Sequence, residues 1–226
     1  MASNIEKNLN NIKEAINMSR AKVGKDYDVG LIAVTKTVGI EEIEEVIQYG
    51  IKDIGENRVQ ELVKKYEILG NKVRWHMIGH LQRNKVKYII DKVDLIHSLD
   101  SYDLALEIDK RAKTQDKIMK CLLQVNVSGE ESKYGLNPEE VIDILEKINK
   151  LNHIKIEGLM TMAPYAEMIE ETRIYFRKLK ELSIEISKKS FYNVEMKYLS
   201  MGMSNDFPVA IEEGGNLIRI GSKIFG

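Results

Sequence analysis

"KVDLIHSLDSYDLALEIDKRAKTQDKIMKCLLQVNV", residues 92–127, contains two apolar runs with a helical pattern between them. "KVDLIHSL" and "KIMKCLLQVNV" have the length and apolar density of buried strands. "SYDLALEIDKRAKT" reads as a helix starting near Ser101. The same rhythm extends in both directions. Upstream, "LIAVT" is a strand and "GIEEIEEVIQYG" a helix, with Ile40, Ile43, Val46 and Ile47 on one face and Gly50 as its stop. "IKDIG" and "ENRVQELVKKYEIL" follow as strand and helix, then "KVRWHMIG" and "LQRNKVKYIID". Downstream, Asn137 and Pro138 open a helix as cap and first-turn residue. "HIKIEGLMTM" is a strand, a long helix covers residues near 167–189, and "VEMKYLSM" is a strand. "SNDFPVAIEEGG" is a short helix and "NLIRIGS" the last strand.

Eight strands alternating with helices predict an α/β chain closed as a (β/α)8 TIM-type barrel, which typically takes about 250 residues. This chain has 226. The shortfall points to a missing helix after the last strand, since the sequence ends at "KIFG". The N-terminal segment supplies an extra helix over residues 3–23. Ser3 and Glu6 have capping-box spacing, and Ile5, Leu9, Ile12 and Ile16 share a face. That helix is expected to pack near the gap. An open doubly wound sheet uses the same alternation and is the other architecture to weigh. Proline occurs only at 138, 164 and 208, and no linker interrupts the pattern, so one domain over 1–226 is expected.

The formal net charge is −1, with both signs interspersed, which lacks the basic stripe of a nucleic-acid binder. No run approaches a membrane span, and the N-terminus lacks a secretory apolar core. A single cysteine, Cys121, excludes an intrachain disulfide and reads as a buried, inert thiol. A cytoplasmic protein is expected.

In such barrels the active site lies at the C-terminal strand ends. The first strand ends at Lys36. Lysine is seldom buried without a partner, so it either reaches solvent there or is held in a pocket for its chemistry. The second strand ends in Glu56, Asn57 and Arg58, and the third in His76, Gly79, His80 and Gln82. His76 and His80 are four apart but span a strand end and a loop, which gives no shared helical face for a metal. "SMG" near Ser200 and "IGS" at Gly221 and Ser222 end the seventh and eighth strands, where phosphate sites in these barrels are often built. Glycine lets backbone N–H groups approach an anion, and serine adds a hydroxyl. Tight turns are the alternative reading. A desolvated lysine amine is a nucleophile that forms Schiff bases with aldehydes. An amine facing a phosphate cup suits pyridoxal 5′-phosphate. Arg219, two residues before Gly221, could face the pyridine nitrogen, where a guanidinium can only donate and disfavours ring protonation. Alternatively it pairs in the barrel core with Glu157 or Glu195.

"AVTKT" (33–37), "GENRVQE" (55–61), "WHMIGHLQRNK" (75–85), "SMGMSNDF" (200–207) and "RIGSKIFG" (219–226) occur in this order across nearly the whole chain. Together they resemble the pyridoxal phosphate homeostasis protein family. The resemblance implies a barrel like the N-terminal domain of alanine racemase and a Schiff base between Lys36 and pyridoxal phosphate. It also implies that Asn57 lies near the ring and that Arg219 faces the pyridine nitrogen. Ser200, Gly221 and Ser222 would hold the phosphate, with Met201 contributing its backbone. His80 stands where many relatives have proline, and Ser222 where threonine is common. The implied function is intracellular vitamin B6 homeostasis without robust turnover, with apo-enzymes that use the cofactor as partners. A racemase-like enzyme is the alternative. Such racemases carry a second domain and an opposite-face tyrosine, for which Tyr165 is the weak candidate here. The lack of second-domain contacts suggests a monomer.

Overall fold

Ser3 starts the first helix by accepting a hydrogen bond from the Glu6 amide at 3.1 Å, the cap its position in the sequence predicts. In the computed structural model, which describes residues 3–24, 27–130 and 133–226, this helix is α1, Asn4–Lys22. It buries Ile5, Leu9, Ile12 and Ile16. The alternation then begins: β1 (Gly30–Val34), α2 (Ile40–Gln48), β2 (Asp53–Glu56), α3 (Val59–Leu69) and β3 (Arg74–Met77). It continues through β4 (Leu95–Leu99), α4 (Tyr102–Thr114), β5 (Met119–Gln124), α5 (Val141–Ile148) and β6 (Ile154–Met160). The last part is α6 (Arg173–Ser187), β7 (Val194–Ser200), α7 (Phe207–Glu212), β8 (Leu217–Ile220) and α8 (Ser222–Phe225).

The strands pair in sequence order, each parallel to the next, and β8 returns to pair with β1. The barrel is closed, so the open doubly wound sheet is ruled out. Inward and outward side chains separate into two apolar cores. Ile32, Leu95, Leu122, Met160 and Leu217 form a small cluster of their own, and the larger one packs helices onto strands through residues such as Trp75, Phe176 and Ile218. Cys121 is buried and free, as expected. Gly158 adopts φ +144° at an irregular step between β6 and β7, where an added Cβ would lie 1.9 Å from the Tyr198 carbonyl oxygen. No helix among the described residues is long and apolar enough to cross a membrane.

Two expectations need correction. Between β3 and β4 the chain forms a 3-10 segment, Arg83–Tyr88, in place of an α-helix over 81–91. Val86 within it and Ile89 just after it are buried and stand three apart, a spacing that a three-residue turn stacks directly. Lys117 holds the turn that follows, donating to the carbonyls of Ile90 (2.9 Å) and Val93 (3.2 Å). The second correction is at the end of the chain, which does turn a helix after the last strand, the four-residue α8. That helix is too short to cover the barrel flank alone, and α1 packs against both α7 and α8. Asn8 Nδ2 donates to the carbonyls of Ile224 (3.0 Å) and Gly226 (3.3 Å), and Lys22 pairs with Glu212 at 2.9 Å. The expected place for the N-terminal helix is the observed one.

Candidate functional site

A cleft of about 570 Å³ opens at the C-terminal ends of the strands, within the size range of small-molecule sites. Lys36, Asn57, Arg219, Gly221 and Ser222 all line it. Ser200 and Met201 do not reach its wall. The Met201 side chain is fully buried in the outer core, and the Ser200 hydroxyl lies in the barrel interior, bonded to His97 and Arg219. The loop after β7 contributes Met203, Ser204, Asn205 and Asp206 to the cleft instead. Facing these polar groups are Val34, Ile78, Met162, Ala163 and Pro164. Among the described residues no group of three or more His, Cys, Asp or Glu side chains could hold a metal. His76 and His80 point to different places: His76 into the interior toward His97, His80 to the cleft rim, where it stacks on Tyr134 at 4.0 Å.

Lys36 is solvent-exposed within this cleft, while the backbone beneath it is locked. Thr35, fully buried, donates its hydroxyl to Glu56 Oε1 at 2.6 Å, and its amide bonds the Gly55 carbonyl at 3.0 Å. Lys65 Nζ, from α3, reaches the same carboxylate oxygen at 2.6 Å and also the Thr35 carbonyl. A buried ion pair therefore fixes the residue before Lys36. Asn57 is set by close backbone approach: a Cβ on Gly79 would fall 2.2 Å from the Asn57 carbonyl oxygen.

Arg219 forms the floor of the cleft. Glu157 pairs with Lys120 and Lys155, and Glu195 with Lys155, so neither is its partner. Its guanidinium donates to the Thr161 carbonyl at 2.9 Å and to the Ser200 hydroxyl. Burial pushes its pKa down to about 10, with Asp206 opposing, so it stays cationic at neutral pH. Asp206 accepts from the Met203 amide at 2.6 Å, which shapes the loop after β7. Its burial raises its own pKa, and hydrogen bonds from the Met203 and Asp206 amides oppose the rise.

Below Arg219 a polar column crosses the barrel. Ser200 Oγ lies 2.9 Å from His97 Nδ1, His97 Nε2 lies 3.0 Å from His76 Nδ1, and His76 Nε2 lies 3.0 Å from Asp53 Oδ1. Arg74 grips the Asp53 carboxylate from the barrel's N-terminal end, with Nε at 2.7 Å. Burial acts to raise the Asp53 pKa, but hydrogen bonds from His76 and Arg74, with the Arg74 charge, bring it down to about 2. A carboxyl depressed in the folded state stabilises above its unfolded pKa, and that contribution fades as pH falls toward the folded value. Asp53→Asn is therefore expected to be less stable than the parent at pH 6 by roughly 1–2 kcal/mol after discounting for solvent screening. The gap should close between about pH 4 and pH 2, as read by urea midpoints across that range. A gap that stays constant with pH would mean that Asp53 acts through packing alone.

The family model described as alanine racemase, N-terminal domain, matches residues 7–226. A pyridoxal phosphate homeostasis protein of Aquifex aeolicus (strain VF5) is 47% identical over 220 residues, covering 96% of each chain. The chain belongs to the pyridoxal phosphate homeostasis protein family. The solved structure of PipY, the COG0325 family member of Synechococcus elongatus PCC7942, with PLP bound, superposes with a TM-score of 0.82 at 32% identity, over 94% of this chain and 99% of that one. Alanine racemase of Clostridium difficile 630 shares the fold alone: TM-score 0.78 at 17% identity, over 99% of this chain but 56% of the racemase.

The cleft fits pyridoxal phosphate on its own chemistry. It offers a primary amine, the Ser204 and Ser222 hydroxyls, a glycine at 221 close to the Val34 backbone, and an apolar wall. A Cβ on Gly221 would lie 3.0 Å from the Val34 carbonyl oxygen, so this strand end stays slim beside Lys36's strand. Sequence reasoning did not single out His97, although a histidine within the apolar run "LIHSL" was a visible signal. It also did not single out Tyr134 or Asp206.

Proposed function

We propose that this chain binds pyridoxal 5′-phosphate and holds it for the cell's supply of that cofactor without robust turnover. When bound, the cofactor supplies an aldehyde that an amine can attack and a ring that accepts electrons. The observation that carries the reading is an exposed amine, Lys36, sharing one cleft with the serine- and glycine-bearing turns at 203–206 and 221–222. In this reading Lys36 Nζ takes the aldehyde. Ser204, Gly221 and Ser222 hold the phosphate, with Ser200 and Met201 supporting them from beneath. Asn57 borders the ring, and Arg219 offers its nitrogen only a donor, which keeps the ring a weak electron sink. PipY, a relative holding PLP, supports the assignment.

Racemisation is the other reading, and it needs a proton donor held on each face of the ring. Tyr165 lines the cleft but is 90% exposed, so no packing fixes its hydroxyl. Apo-enzymes that use the cofactor are the partners this reading implies, with the chain acting as a cytoplasmic monomer.

The test is visible absorbance after incubation with pyridoxal phosphate, then borohydride reduction and peptide mass mapping, with an alanine racemisation assay alongside. A yellow protein with a pyridoxyl group on Lys36 and negligible racemisation is the expected result. A colourless, unlabelled protein would overturn the cofactor reading of the cleft. Pyridoxal, lacking the phosphate, is expected to bind at least about tenfold more weakly, since it forfeits the charge-assisted bonds of the cup.

A further inference from the structure

Barrels of this type fill their interior with layers of branched aliphatic side chains. Here one side of the interior is polar from the N-terminal face to the cleft, through Asp53, His76, His97, Ser200 and Arg219. His76, His97, Ser200 and Arg219 are each at most 6% exposed. The proton positions follow from the two ends. Asp53, held ionised by Arg74 and His76, can only accept, so His76 Nε2 carries a proton. At the other end Arg219 can only donate to Ser200, so the Ser200 proton goes to His97, and His97 Nε2–H donates to a bare His76 Nδ1. Burial, with the charge of Arg219, lowers the His97 pKa and keeps that imidazole neutral. His97 Nδ1 is then bare as well and takes the Ser200 proton. The Ser200 oxygen is left to accept from Arg219, the one other partner its hydroxyl has among the described residues. Every donor points the same way, from Arg219 toward Asp53.

The opposite direction fails on the same accounting. It would put Nδ1–H on both histidines. The Ser200 oxygen would then receive two donors while its own proton had no acceptor, and a neutral His76 would present a bare nitrogen to the Asp53 carboxylate.

We propose that His97 is a positioning residue. Acting through Ser200, it holds the Arg219 guanidinium at the floor of the cleft, at the head of a one-way hydrogen-bond column anchored on Asp53 at the far end of the barrel. Arg219's role toward the cofactor rests on the function proposed above, whereas the column itself does not. Ser200 is thereby part of the support of the floor, and the column explains why a buried serine ends a strand just beneath the cleft.

Imidazole nitrogen NMR on the protein without added cofactor tests the direction, and the chain has only four histidines to assign. His76 and His97 are expected as neutral Nε2–H tautomers at neutral pH. An Nδ1–H tautomer at His97, or an imidazolium at His76, would overturn the direction. Ser200→Ala and the milder His97→Gln test the holding role through hydrogen exchange at the Arg219 guanidinium, again without cofactor. Loss of a bond to a charged donor is expected to speed that exchange by about tenfold in Ser200→Ala, and by less in His97→Gln, whose amide keeps one donor and one acceptor. Unchanged exchange in both variants would overturn the proposal. With pyridoxal phosphate added, Ser200→Ala is expected to shift the visible maximum while Lys36 stays trappable by borohydride. If the parent takes up no cofactor, the proposed function fails and the cofactor-free readings still decide the column.

Discussion

Lys36→Ala is expected to take up no borohydride-stable pyridoxyl group while keeping the parent's stability to within about 0.5 kcal/mol, as exposed substitutions usually do. Lys36 is exposed in the cleft, and its side chain makes no hydrogen bond or ion pair among the described residues, so folding does not depend on it. Its amine is the group proposed to take the cofactor aldehyde. Residual, non-covalent binding should persist through the turns at 203–206 and 221–222. It would be visible as a free-aldehyde absorbance that dialysis removes faster than from the parent. A label that moves to another lysine would show that the cup, and not Lys36, selects the site of attachment. A variant that fails to fold would show that Lys36 is a structural residue.

Lys65→Met is expected to carry the largest stability cost of any single change near the site. Lys65 and Glu56 form an ion pair at 2.6 Å with side chains 8% and 0% exposed. Glu56 Oε1 takes both the Lys65 and Thr35 bonds, and Oε2 has no hydrogen-bond partner among the described residues. Removing Lys65 leaves a buried carboxylate without its cation, a change that typically costs about 3–5 kcal/mol. Guanidinium melts should show the lowered midpoint. Glu56→Gln added to Lys65→Met should recover part of the loss, because the uncompensated charge is then gone. If the double variant is no more stable than Lys65→Met, the loss came from the missing bond to the Thr35 carbonyl. The same variant tests the link to function, since Thr35 carries the backbone on which Lys36 stands.

Residues 92–127 foretell the fold because a strand, a helix and a strand with no break leave few ways to connect. Repetition of that unit eight times closes the sheet. The segment over 81–91 was harder to read, because Val86, Ile89 and Ile90 satisfy an α-helical stripe as well as they satisfy short turns. The site was legible where chemistry sits at a strand end: Lys36, Asn57, Arg219, Gly221 and Ser222 meet in one cleft. Ser200 shows what the pattern lacks. Alternation along a strand tells inside from outside but not depth along the barrel axis. Ser200 pairs with Leu217, two residues before Arg219 on β8, so the last residue of β7 lies beneath Arg219. Only the stagger between neighbouring strands sets that level. His97 escaped for a related reason. Its partners His76 and Ser200 are 21 and 103 residues away, and no local spacing announces them.

The pairing between β1 and β8 joins the first strand of the barrel to the last, backed by the hold of Asn8 on residues 224 and 226. During synthesis the first strand must therefore wait, with one edge unpaired, until the eighth strand has left the ribosome. Lys36 and Gly221 belong to opposite margins of that seam, so the seat proposed for the vitamin is open in any fragment that lacks the eighth strand. A protein whose task is to hold a reactive aldehyde thus gains the ability only once its ring has shut. Capture of the ligand then favours the shut state over every partly assembled one.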